Sequence, residues 1–462
     1  MTPPGTQHRS DDPDGTVAQL ESLAERVLAA RRPGDAVEIV LSHSRGTSVR
    51  VHDGAVESLT SSDSSGAGVR VVRDGRLGFA HCGSLDLDVL LGTLEAASDN
   101  CTFGEPDPHN GLVEPDGVPV VPQQGWTPAV EQRSAEQRIA TALELERLVT
   151  GRDPRVVAAR STTYGDASST SVIMSTTGVR AGERSSSSSV STQPMARSGD
   201  ETQIGASYDA ARDPADLDLH RVADEAVERA TRLLGARKPP SGRLTVVLEP
   251  RLALGLLGIV SGMLSGDAVV KGRSPFADRR GEVIAAPCIT LWDDPTRQES
   301  LGAEEVDGEG LATRPNQLIA DGRLVDFLRD GYVGRRTGEG STASAVRGAR
   351  SLPGIGAQVL VMSPGTRDLD ELVATIDHGL FVNSLSGLHS GVNAVSGDFS
   401  VGADGLVIRD GALAEPVREL TLASTLQRLL LDVREVGGDA TWLPSGHRGA
   451  SLVIDDVAAS GA

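Results

Sequence analysis

The residues able to do chemistry are spread thinly along the 462 positions. Nine histidines occur, yet no His-Glu-x-x-His, His-x-His or Cys-x-x-Cys spacing gathers them into a metal site. His378 and His389 flank one predicted strand. With Asp377 or Asp398 they form the one arrangement that could hold a metal. Serine is abundant, but no Gly-x-Ser-x-Gly elbow marks a nucleophile. A Ser/His/Asp triad assembled from distant residues stays open. Residues 334–341 (GRRTGEGS) are basic and glycine-rich and suit an anion, but lack the spacing of a phosphate loop. Carboxylates pair at Asp293-Asp294 and cluster at Glu304, Glu305, Asp307 and Glu309. There, acid/base work or Ca²⁺ binding competes with a plain solvated loop. None of these is an autonomous catalytic signature.

The stretch 251–295 is unusual for a different reason. Leu252, Leu256, Ile259, Val260, Met263 and Leu264 recur at helical spacing and predict a buried helix. Gly255, Gly258 and Gly262 fall on one face of that helix. Each interior glycine costs a helix roughly 1 kcal/mol against alanine. A face without side chains lets another backbone approach. Residues 156–192 are rich in Ser and Thr; β-branched residues between turn signals favour strands over a disordered tract. Both features suit an extended peptide, which adds to a strand edge with little regard to sequence.

The elements that carry these residues fall into two parts. Residues 1–15 are polar and Pro/Gly-rich, predicting a disordered tail. Residues 16–98 read as helix, antiparallel strands and helix, with hairpin turns at Asp53-Gly54 and Asp74-Gly75. A linker at 99–127 leads to 128–240, long helices plus the Ser/Thr-rich strands. Lys238-Pro239-Pro240 marks the main boundary. Residues 241–462 are mostly short strands separated by glycine. The predicted fold class is α+β: an N-terminal part of helices and antiparallel strands, and a C-terminal β-rich domain whose sheet is curved or barrel-like.

Composition narrows the partners. The net charge of -20 repels phosphate backbones, and aromatics at 3% leave little to stack on bases, which argues against nucleic acid. No run of 18 apolar residues predicts a membrane span. Cys82, Cys101 and Cys288 form no paired framework and fit a reducing cytoplasm.

Four stretches carry a resemblance: residues 66–80 (GAGVRVVRDGRLGFA), 266–275 (GDAVVKGRSP), 291–294 (LWDD) and 391–403 (GVNAVSGDFSVGA). In order and spacing the chain resembles the TldD/PmbA family from about residue 20 onward. The resemblance implies a cytosolic heterodimeric metallopeptidase that acts on unstructured peptides and leader peptides. In that family the TldD-like subunit carries a His-Glu-x-x-x-His helix, a following Glu-Gly-Asp and a late Cys as its zinc site. With Gly266-Asp267 aligned on that Gly-Asp, the His, Glu and second His columns hold Leu257, Gly258 and Gly262, and no Cys follows Cys288. The chain is therefore similar to the TldE/PmbA half, a non-catalytic subunit without a cofactor of its own, with zinc expected in a TldD-like partner. Expected peptide contacts are Gly258 and Gly262 on the helix, and Asn393, Asp398 and Ser400 in the late run. Two alternatives stand beside this reading: a peptide-binding scaffold homodimer without catalysis, and an independent hydrolase.

Overall fold

The computed structural model describes residues 13–461, so most of the predicted tail lies outside the described residues. Helix α1 (Pro13–Ala29) opens the described chain, starting inside the stretch assigned to that tail. Strands β1 (Ala36–His52) and β2 (Ala55–Arg73) form a long antiparallel hairpin. Asp53 and Gly54 both take positive φ at its turn, as do Asp74 and Gly75 before β3 (Arg76–Cys82). This is the left-handed pair that Asp-Gly supplies at little cost. Helix α2 (Leu87–Asn100) follows. Helix α3 (Ala135–Arg152) starts at a capping box made by Ser134 and Gln137.

The Ser/Thr-rich region is strand, as its β-branched spacing predicts: β4 (Val156–Ser175) and β5 (Arg180–Ser198) pair along nearly their whole length. Strands β6 (Glu201–Ile204) and β7 (Ser207–Ala211) then lie end to end on the outer side of β5. Helix α4 (Leu219–Thr231) completes this part. The strands join in one sheet in the order β3-β2-β1-β4-β5-β6, with β7 also on β5.

The helices cover one face of this sheet. Leu20, Val27, Leu90 and Leu94 of α1 and α2 meet Val37, Ile39, Leu41, Val69 and Val71. Farther along, Leu145 and Val149 of α3 and Val222 and Val227 of α4 meet Val49, Val51, Tyr164 and Val190. Strict alternation produces this. Along β4, Thr162, Tyr164, Asp166, Ser168 and Thr170 are buried, while the residues between them turn to the other face. Near Val40 and Ile173 that second face is covered by Leu311 and Ala343 of the C-terminal part.

In the C-terminal part, β8 (Gly242–Leu248), β9 (His378–Ser386), β10 (Asp398–Arg409), β11 (Ala412–Thr425) and β13 (Leu452–Ser460) close on themselves. Closure comes from pairing of Thr421–Ala423 with residues 458–460. Strand β12 (Val433–Val436) extends β13. The barrel-like expectation holds, with one refinement: β8 and β9 run parallel. A second small sheet pairs Leu291–Asp293 with Asn316–Ala320 and Leu360–Met362. Helix α5 (Pro250–Met263) packs Leu252, Leu254, Leu256, Leu257, Val260 and Met263 into the core between these sheets.

The candidate peptide cleft and the glycine face

Each predicted chemical site can now be placed. His378 and His389 stand at opposite ends of β9. Eight residues of strand rise separate His378 from Ser386, about 26 Å, so the two imidazoles do not share a metal. Among the described residues no group of three or more His, Cys, Asp or Glu side chains is close enough to hold one. In the 334–341 segment, Arg335 and Arg336 lie in the last turn of a short helix, Gly331–Thr337, and are committed elsewhere. Arg335 donates to the carbonyls of His109 and Gly111, and Arg336 donates to the Tyr332 hydroxyl.

Two of the four acidic-loop carboxylates, Asp307 and Glu309, are buried and structural, while Glu304 is exposed. Asp307 accepts from the backbone N–H groups of Glu309, Leu311 and Ala345. Glu309 accepts from Gly331 N and pairs with Arg70 at 2.9 Å, and Arg70 pairs with Glu38 at 2.7 Å. All three of these side chains are at most 5% exposed. Arg347 also pairs with Glu38. This buried network ties the N-terminal sheet to the C-terminal part. Asp293 is fully buried; its Oδ1 accepts from Gln358 N and Val359 N, while Oδ2 has no partner. Burial pushes its carboxyl up to about 7.

Gly255, Gly258 and Gly262 share the exposed face of α5, and a Cβ built at any of them would meet no atom within 4 Å. No neighbouring strand packs there. The face is open backbone. Leu257 points the other way and is fully buried. Asn393, Asp398 and Ser400 are exposed, in and after the turn that precedes β10. Asn393 Oδ1 accepts from Val395 N and Ser396 N, and Ser396 Oγ donates to Asp398 at 2.6 Å. The two acidic-amide side chains thus first satisfy their own turn. Gly391 and Ser400 lie so close that a Cβ on Gly391 would strike the Ser400 carbonyl oxygen.

Gly258, Gly262, Asn393, Asp398 and Ser400 all lie outside a cleft of about 1560 Å³ between the two parts. Strand β7 and α4 form one wall. The start of α5, residues 294–301 and residues 441–444 form the other. Among the described residues β7 pairs with β5 alone, which leaves its other edge without a strand partner, and residues 207–211 line this cleft. Arg212 bridges the two walls, donating to the carbonyls of Gln298 and Ser300. Trp126, Tyr208 and Trp442 also line it. The sequence reading missed them, although scarce aromatics were the available signal.

Three models of the PmbA/TldA metallopeptidase match the chain: domain 1 over residues 37–101, the central domain over 128–234 and the C-terminal domain over 241–461. The chain belongs to the TldD/PmbA family. It is 25% identical over 422 residues to the metalloprotease PmbA of Escherichia coli O157:H7, covering 91% of each chain. It is also 25% identical over 465 residues to a metalloprotease TldD homolog of Haemophilus influenzae, covering 94% of each. Its fold is that of TldE from Thermococcus kodakarensis, with a TM-score of 0.86 at 23% identity, over 97% of this chain and 99% of that one. A zinc ion on this stretch of α5 would need side-chain donors. Leu257, Gly258 and Gly262 offer none, and Leu257 is sealed in the core, so these positions do not fit the metal.

Proposed function

We propose that this chain is the TldE-like subunit of a cytoplasmic TldD/TldE-type metallopeptidase. It acts on unfolded peptides together with a TldD-like partner that supplies the zinc. The observation that carries this reading is α5. Its ligand columns hold side chains without donor atoms, and its glycine face is open along the helix. A face of bare backbone is a poor metal site but a good surface for close approach by another chain. The free edge of β7 in the interdomain cleft supports the substrate class. Main-chain pairing at a strand edge accepts peptides regardless of sequence. Membership of the family supports the metallopeptidase context, and among the described residues no helix is long and apolar enough to cross a membrane.

Co-expression with a TldD-like protein of the same genome tests the assignment. The expected result is a stable complex that cleaves an unstructured peptide, with neither subunit active alone. Retention of full peptidase activity by the TldD-like protein without this chain would overturn it. The cleft also favours a second reading, a peptide-binding homodimer without catalysis. Under that reading the chain binds peptide tightly, forms no complex with a TldD-like protein, and leaves the peptide intact.

A further inference from the structure

The chain has three Trp and three Tyr among 462 residues. Two of those Trp, Trp126 and Trp442, and one of those Tyr, Tyr208, line this interdomain cleft. They arrive there from three separate places. Trp126 sits in a segment whose neighbours Gly125 and Thr127 hydrogen-bond to Ser186 of β5, beyond the end of β7. Tyr208 is 39% exposed on β7 itself, opposite Ser191. Trp442 belongs to the short hairpin that pairs Thr441–Trp442 with Arg448–Gly449 on the facing wall. Tyr208 leaves the most apolar surface facing water, Trp442 is half-buried, and Trp126 is half-buried with the Arg184 guanidinium over its ring at 3.8 Å.

The arginines of the cleft are already committed, whereas among the described residues the lining carboxylates Asp216 and Glu299 form no ion pair. Arg221 pairs with Asp209 at 2.6 Å, Arg251 with Glu249 at 3.0 Å, and Arg297 with Asp294 at 2.6 Å. Arg229 reaches both Glu225 and Glu249, and Arg212 spends its guanidinium on carbonyl oxygens. Negative charge on a ligand would compete with these internal pairs. The strand edge of β7 holds backbone without reading side chains. Among peptides of equal charge, discrimination therefore falls to the aromatic faces.

Resting on the reading that this cleft receives peptide, we infer that it selects extended segments bearing large apolar or aromatic side chains. An added strand presents its side chains alternately to the two faces of the sheet. Every second residue of the segment then falls on the Tyr208 side of β7. The rings of Trp126 and Trp442 widen the apolar contact available inside the cleft.

The test uses two peptides of equal length and charge, one alternating Phe or Leu with Ser, the other alternating Ala with Ser. Binding to the full chain is followed by tryptophan fluorescence, and cleavage by the complex with a TldD-like subunit is measured in parallel. Aromatic contact predicts roughly three- to tenfold tighter binding of the Phe/Leu peptide. Tyr208→Ala, at an exposed edge position, should remove most of that preference. Trp442→Leu should act in the same direction, and circular dichroism checks that each variant is folded. Equal affinities for the two peptides, or a preference untouched by both substitutions, would overturn the inference while leaving the peptide-binding reading intact. Failure of both peptides to bind would overturn the peptide cleft itself, and this inference with it.

Discussion

Gly68 and Ala349, 281 positions apart in the chain, touch so closely that a Cβ at position 68 would lie 2.1 Å from the Ala349 carbonyl oxygen. The contact is where the loop after residue 345 presses onto the N-terminal sheet. It gives a physical reason for glycine within the 66–70 stretch: any side chain there pushes the two parts of the molecule away from each other. Gly68→Ala should cost about 1–3 kcal/mol. Thermal unfolding measures it, and an unchanged midpoint would show that the loop moves away freely.

The same seam is closed by charge. Arg70 lies between Glu38 and Glu309, all three buried. Arg70→Met leaves the buried Glu309 without a cation, while Glu38 keeps Arg347, and should destabilise by about 3–5 kcal/mol. Adding Glu309→Gln to Arg70→Met should restore much of that loss, because the uncompensated charge is then gone. Urea denaturation of the single and double variants separates lost charge balance from lost packing.

The β-hairpins and strands were legible because their signals are local. The Asp-Gly pairs at 53–54 and 74–75 set their own turns, and β-branched alternation marked β4 and β5 through all their serines. The seam was not legible. Glu309 read as part of a solvated acidic loop because its partner, Arg70, is 239 residues away. His378 and His389 looked like neighbours because a strand between two residues was taken to bring them together, whereas an extended strand holds them apart. The cleft escaped notice for the same reason as the seam: Trp126, Tyr208 and Trp442 meet only after the two parts dock.

Asp293 sets a pH dependence. The folded chain keeps its proton up to about pH 7, whereas an unfolded aspartate releases it near about 4. Folding thus takes up a proton between those values, so this group's contribution to stability is present at low pH and is lost as pH rises through that window. Asp293→Asn keeps the acceptor for Gln358 N and Val359 N and removes the titration. The variant should show a flatter stability profile between pH 5 and 8 than the parent, with its advantage largest at pH 8. Denaturation midpoints across that range decide it; a steeper profile in the variant would contradict the assignment.

Gly258 and Gly262 separate the isolated chain from the complex. With open space where a Cβ would go, alanine at either position should stabilise the isolated chain by roughly 1 kcal/mol through helix propensity. If another backbone lies against that face in the working complex, the same substitutions should weaken complex formation or peptide cleavage several-fold. Melting curves of the chain alone and titration with the TldD-like subunit give the two readouts. Stabilisation with unchanged assembly and cleavage would mean that the face stays empty in the complex.

The central claim is that this chain completes a metallopeptidase without holding its metal. Metal analysis by mass spectrometry, paired with peptide cleavage, tests it on the purified chain, on the TldD-like subunit and on their complex. The account predicts no stoichiometric zinc and no cleavage for this chain alone, and both for the complex. Stoichiometric zinc together with peptide cleavage by this chain on its own would contradict it.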